Sequence, residues 1–195
     1  VDTRDDGDLP RAGAPSPTRV GRFALVEQVG RGGMGVVYAA WDPQLDRKVA
    51  IKLVDDARDA DPDDARHRLE QEARAAATLN HPNIVAVYDT GEDILGDETA
   101  SVVVPYIVME YVGGTSLKQL LKARMKEAGG AYNPLPVDQA IAFVLEVLPA
   151  FSYLHDLDLV YCDFKPDNVI QVGDAVRLID LGGVRRIDDA DSAIY

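Results

Sequence analysis

A Gly173-Asp174 pair between two β-rich runs, Val169-Ile-Gln-Val172 and Ala175-Val-Arg-Leu-Ile179, constrains this chain more than any other feature. Such a pair is a two-residue hairpin signal, so the two runs fold back antiparallel. Counting outward from the turn sets Val172 against Ala175, Val169 against Leu178, and Asn168 against Ile179. Asn168 and Asp180 then leave the open end side by side, about 5 Å apart by cross-strand geometry. Two oxygen donors so placed suit a small hard cation such as Mg²⁺, which takes carboxylate and carbonyl oxygens alongside phosphate or water. Upstream, Asp163-Phe-Lys-Pro-Asp-Asn168 adds Asp163, a carboxylate for proton work, and Lys165, an ammonium for a phosphate. The combination predicts a phosphoryl-transfer site.

The chain has 195 residues, 47% of them apolar, enough for one domain or two small lobes with a buried core. Its formal net charge of −13 argues against a nucleic-acid partner, which needs a basic footprint. Much of the acidity falls in residues 55–64, read as a solvated turn and helix start. One cysteine, Cys162, excludes a disulfide framework or a structural zinc cluster and fits a reducing cytoplasm. Cys162 itself reads as a small packing residue. His67, His81 and His155 stand at no ligand spacing. No run reaches the roughly 18 uninterrupted apolar residues of a membrane span, and no signal peptide is visible.

Residues 1–22 are poor in large apolar side chains and read as a disordered tail or linker. Strands are predicted over residues 23–29, 36–41, 48–54, 84–88 and 101–111. A helix is predicted from Asp61-Pro62 to the Asn80-His81-Pro82 stop. Gly113-Gly114 breaks the pattern, and helices follow over 116–128 and 137–155, the second with Pro149 inside it. A strand-rich half thus precedes a helix-rich half, with a cleft expected between them.

Gly30-Arg-Gly-Gly-Met-Gly35 contains Gly-x-Gly-x-x-Gly, a weak signal alone. Here the following Val36-Val-Tyr-Ala-Ala-Trp41 continues as strand, against a dinucleotide fold, and no Gly-Lys-Ser/Thr ending makes it an NTPase P-loop. A glycine-rich β-turn-β flap instead brings bare backbone over triphosphate oxygens. In Lys48-Val-Ala-Ile-Lys52-Leu-Val54, alternation puts Ala50 and Lys52 on one face and Val49, Ile51 and Leu53 on the other. A lysine on a packing face requires an anionic partner. Leu69, Glu72, Ala76 and Leu79 share one helix face, so Glu72 points with the apolar stripe at the sheet. A Lys52–Glu72 pair is predicted, with Lys52 presented to phosphate.

These elements occur together and in order. Gly30–Val37, Val49-Ala-Ile-Lys52, Glu72-Ala73, His81-Pro-Asn-Ile-Val85, Val108-Met-Glu-Tyr-Val112, Asp163-Phe-Lys-Pro-Asp-Asn168 and Asp180-Leu-Gly182 make the chain resemble a Ser/Thr protein kinase domain. It is most similar to the bacterial group typified by mycobacterial protein kinase G. The resemblance implies an α+β, two-lobed protein-kinase-like fold, an antiparallel sheet with one main helix followed by a helical lobe. Residues 23–112 would form the first lobe and hinge, and 113–195 an incomplete second lobe ending within the activation segment. It implies ATP and Mg²⁺ (or Mn²⁺) as cofactors and a protein Ser/Thr hydroxyl as acceptor. Asp163 would accept the hydroxyl proton, Lys165 would neutralise the migrating group, and Asn168 and Asp180 would bind the metal. Lys52, backed by Glu72, would hold the α- and β-phosphates. Gly30, Arg31, Gly32, Gly33, Met34 and Gly35 would cover the phosphates. Val37, Ala50 and Ile170 would sandwich adenine, the backbone at Glu110 and Val112 would bond its edge, and Met109 would guard the back of the pocket.

Three departures bear on this. Tyr161-Cys162 stands where the family usually has His-Arg, which implies activity independent of an activation-loop phosphate. Leu181 replaces the usual Phe after Asp180. The chain also ends at Tyr195, within the expected activation segment, so a polypeptide of this length is expected to be poorly active and poorly stable. A non-catalytic pseudokinase and a small-molecule kinase remain as alternatives; Lys165, two residues after Asp163, speaks against the second.

Overall fold

The computed structural model describes residues 18–32, 35–53, 73, 76–97 and 100–187. Its first half is a six-stranded antiparallel sheet: β1 (Arg19–Val20), β2 (Phe23–Gly32), β3 (Gly35–Asp42), β4 (Arg47–Leu53), β5 (Val87–Asp97) and β6 (Ala100–Glu110). The strand order is β1-β2-β3-β4-β6-β5. Ordered structure begins earlier than Phe23. Arg19 and Val20 pair with Ala24 and Phe23, and Val20 is fully buried. Arg22 holds this edge by donating from Nε and Nη2 to the buried Asp42 carboxylate, both at 3.2 Å. A two-residue strand has no periodicity to read, so sequence placed it in a tail.

The alternation expected in β4 is visible in the packing. Val49, Ile51 and Leu53 join Val20, Phe23, Tyr38 and Val108 in a cluster on one side of the sheet. Ala50 joins Met109, Ile107 and residues of the second half on the other. Ala76 and Leu79 of the expected apolar stripe are buried in that second cluster, together with Ala73. The rest of the predicted helix, residues 61–72 and 74–75, lies outside the described residues.

β5 differs from expectation. It begins at Val87 and runs to Asp97, because Gly91-Glu92-Asp93, which looks like a loop in sequence, pairs through its backbone with Val104, Pro105 and Tyr106 of β6. Residues 84–86 leave the sheet edge instead. Ile84 bridges Leu178 in parallel, Val85 N–H donates to Leu178 O at 2.8 Å, and Leu178 N–H donates to Asn83 O at 2.8 Å.

The second half opens with β7 (Thr115–Ser116) and α1 (Leu117–Glu127). Ser116 caps α1 reciprocally: Gln119 N–H donates to its Oγ at 3.2 Å, and Ser116 N–H donates to Gln119 Oε1 at 3.0 Å. α2 (Val137–His155) has the limits its sequence predicts, with Pro149 inside. Its buried residues Phe143, Val147, Ala150 and Leu154 form one stripe facing the core. Among the described residues it is the one helix long and apolar enough to cross a bilayer, a test that core helices also pass. Then come β8 (Leu159–Tyr161), a 3₁₀ turn (Pro166–Asn168), β9 (Val169–Val172), β10 (Ala175–Leu178) and β11 (Val184–Arg186). β9 and β10 form the predicted hairpin in the predicted register, Val172 against Ala175 and Val169 against Leu178.

The halves meet at Gly113-Gly114. A Cβ on Gly114 would lie 2.2 Å from Gln171 O and 2.7 Å from Ile170 Cγ2, so only glycine lets the crossing strand pass β9 this closely.

Candidate active site

The cleft is assembled from three segments: the loop after β8, the turn after β10 and the end of β4. Asn168 closes the 3₁₀ turn and is buried. Its Nδ2 donates to Asp163 O and to Asp163 Oδ2, both at 3.0 Å. With the amide nitrogen turned to Asp163, the amide oxygen is the end a cation could use. Ile179 N–H donates to Asn168 O at 3.1 Å, so Asn168 and Asp180 leave the same end of the hairpin, as the register requires.

Asp180 faces the first half. Lys52 Nζ lies 3.2 Å from Asp180 Oδ1, joining residues 128 apart in the chain. Lys52 is 6% exposed, on the Ala50 face of β4, as the alternation predicts. Gly182 N–H also donates to Asp180 Oδ1, at 3.1 Å. Burial alone would raise the Asp180 pKa, but the charge of Lys52, the Gly182 N–H and Lys165 together hold it below the usual carboxylate value. Glu72, the partner expected for Lys52, lies outside the described residues.

Lys165 Nζ donates to Asp163 Oδ2 at 2.5 Å, and both side chains are half exposed. That bond, chiefly, raises the Lys165 pKa. Gly183 presses on the same loop. A Cβ there would sit 2.5 Å from Asp163 Cβ and 2.9 Å from Asp163 N. Cys162 N–H donates to Gly183 O at 2.9 Å, fixing the contact.

Tyr161 is a residue whose part sequence reasoning missed. Its hydroxyl donates to Asp180 O at 2.6 Å and its ring lies 5.9 Å from Phe151 of α2. The only signal in the sequence was a departure from the family pattern at this position. Cys162 corrects an expectation: its side chain is exposed rather than packed. It follows the last residue of β8, where the chain turns out of the small β8–β11 sheet into the loop.

Among the described residues, the other expected ones lie on β2, β3, β4, β6 and β9 and just after β6. β2 and β3 form the glycine flap, Gly30 pairing Val37, Arg31 pairing Val36 and Gly32 pairing Gly35. Gly33 and Met34 lie outside the described residues. Val37 packs against the cluster that holds Ala50 and Met109, and Ala50 pairs Met109 across β4 and β6. Glu110 ends β6; its N–H donates to Ala86 O at 2.8 Å, and its carboxylate meets Arg177 Nη2 at 2.7 Å. Val112 packs against the same cluster. Ile170 lies on β9, paired with Ser116 and Arg177.

The donor set suits a hard cation: the Asp180 carboxylate held ionised, the Asn168 amide oxygen, and the Asp163 carboxylate bonded to that amide's nitrogen, with no thiolate or imidazole among them. Two ammonium groups, Lys52 and Lys165, flank these oxygens, a charge pattern fit for a metal-bound polyphosphate.

Comparison with known proteins agrees with this geometry. Residues 23–193 match the protein kinase domain family. The chain is 40% identical over 178 residues to a probable serine/threonine-protein kinase of Streptomyces coelicolor, SCO3848, covering 89% of this chain and 24% of that protein. It is 39% identical over 178 residues to the serine/threonine-protein kinase PknG of Mycobacterium leprae, covering 90% and 22%. The chain thus spans about a quarter of the length of these relatives. Among solved structures, the kinase domain of Mycobacterium tuberculosis PknI superposes with a TM-score of 0.68 at 29% identity, covering 87% of this chain and 63% of that one. On sequence, fold and match alike, the chain belongs to the protein kinase domain family.

Proposed function

We propose that this chain forms the nucleotide site of an ATP-dependent Ser/Thr protein kinase, which passes the γ-phosphoryl group to a protein hydroxyl. The observation that carries this reading is the Lys52–Asp180 contact across the cleft, beside an Asn168 amide locked onto Asp163. Asp180 and the Asn168 amide oxygen would hold Mg²⁺, which supplies charge compensation on the phosphates when bound. Lys52 binds the α- and β-phosphates. The flap from Gly30 to Gly35 covers them and excludes water. Asp163 orients the acceptor hydroxyl and takes its proton at Oδ, while Lys165 offsets charge on the migrating group. Catalysis of this kind asks the protein for positioning and electrostatics, which these groups provide.

Lys52→Ala and Asp180→Ala in the full-length protein test the reading. Each is expected to lower turnover at least about 10²-fold, the scale for removing one electrostatic stabiliser. Circular dichroism should show the fold retained. Near-normal turnover in either variant would overturn the assignment.

A further inference from the structure

Arg177 lies on β10 directly across from Ile170 of β9, the residue placed on the floor of the adenine slot. Its side chain leaves the hairpin and reaches the other wall. Nη2 meets Glu110 Oε1 at 2.7 Å, joining residues 67 apart, and Nη1 lies 3.4 Å from Ile84 O. Both partners of the ion pair are about one-quarter exposed. The remaining Glu110 oxygen lies 3.4 Å from Ala86 N–H, and the Glu110 N–H is held by Ala86 O. Asn83 Nδ2 donates to Val176 O at 2.9 Å, tying the same 83–86 segment to the neighbouring residue of β10.

We infer that the Arg177–Glu110 ion pair is a positioning device that sets the width of the adenine slot. It rests on the function proposed above. Glu110 provides hinge backbone and Ile170 provides floor, and the one charged link from the floor hairpin to the hinge strand among the described residues runs through Arg177. A guanidinium whose two Nη groups are split between the Glu110 carboxylate and the Ile84 carbonyl constrains orientation as well as distance, unlike an apolar contact. With the pair intact, the hinge carbonyl and N–H groups stand at a fixed height above Ile170, so binding a flat ring costs little reorganisation. Arg177 touches no reacting atom. It acts through the slot.

The test uses the full-length protein and Mg-ADP, with affinity read by calorimetry. Arg177→Gln and Glu110→Gln are each expected to weaken Mg-ADP binding roughly three- to tenfold, the scale of a partly buried pair. The double variant should be no weaker than either single one, since both remove one interaction. Arg177→Lys keeps the charge but not the fork, and should recover part of the loss. In turnover, KM for ATP should rise while kcat stays within twofold, a split that a merely structural staple does not produce. Variants with lowered melting temperature but unshifted Mg-ADP affinity would overturn the inference, as would additive losses in the double variant. Wild-type protein that bound no Mg-ADP would instead sink the proposed function, and the inference with it.

Discussion

At the scale of single residues, the site depends on bonds between groups far apart in sequence. The hydroxyl of Tyr161 fixes the main chain of Asp180 while Lys52 fixes its side chain. Tyr161→Phe removes one hydrogen bond and little volume, so it should cost about 1 kcal/mol. That corresponds to a melting-temperature drop of about 2–4 °C for a domain of this size. Turnover should fall more than stability suggests, because Asp180 loses its orientation; equal rates in the variant would deny Tyr161 that part. Asp180 also sets an acid limit. Its folded pKa lies below the usual carboxylate value, so the unfolded chain takes up the proton first as pH falls. Its contribution is present above about pH 4 and is lost as pH drops through the folded pKa. Melting temperature in Asp180→Asn should therefore fall less steeply below pH 4 than in wild type. Such pairings were only partly legible in the sequence. The face carrying Lys52 follows from strand alternation, and the neighbourhood of Asn168 and Asp180 follows from a two-residue turn. The Tyr161 and Arg177 bonds have no local signal, since nothing in a chain's periodicity says which distant carbonyl or carboxylate a side chain will find.

Elements were more readable where side-chain pattern and backbone pairing agree. α2 and the β9–β10 hairpin follow from apolar stripes and a Gly-Asp turn. β5 did not, because its second half is held by main-chain bonds to β6 while its side chains, Gly91, Glu92 and Asp93, resemble a loop. At the crossing between the halves, two adjacent glycines have opposite requirements. A Cβ on Gly113 would meet only Tyr111 Cε1, at an ordinary 3.6 Å, whereas one on Gly114 would strike backbone. Gly113→Ala should stay within about 0.5 kcal/mol of wild type. Gly114→Ala should cost about 1–3 kcal/mol, because β7 must move off β9 to make room. Chemical denaturation of the two variants side by side distinguishes the positions, and equal losses would contradict the close approach.

At the scale of the molecule, burial is uneven. The outer face of α2 presents Ile141, Val144, Leu145 and Leu148, with Leu145 60% exposed. A polypeptide of these 195 residues should therefore self-associate, as contiguous apolar surface does. Static light scattering should show the association, and Val144→Lys with Leu145→Glu should suppress it; unchanged scattering would place the sticky surface elsewhere. Among the described residues, the main chain joins the six-stranded sheet to the rest in two places: the glycine pair that follows it, and residues 83–85, which bond to β10. Two pivots define a single axis, as a pair of brackets does for a shutter. Any swing of the sheet about that line would have to part Lys52 from Asp180, the ion pair that spans the slot.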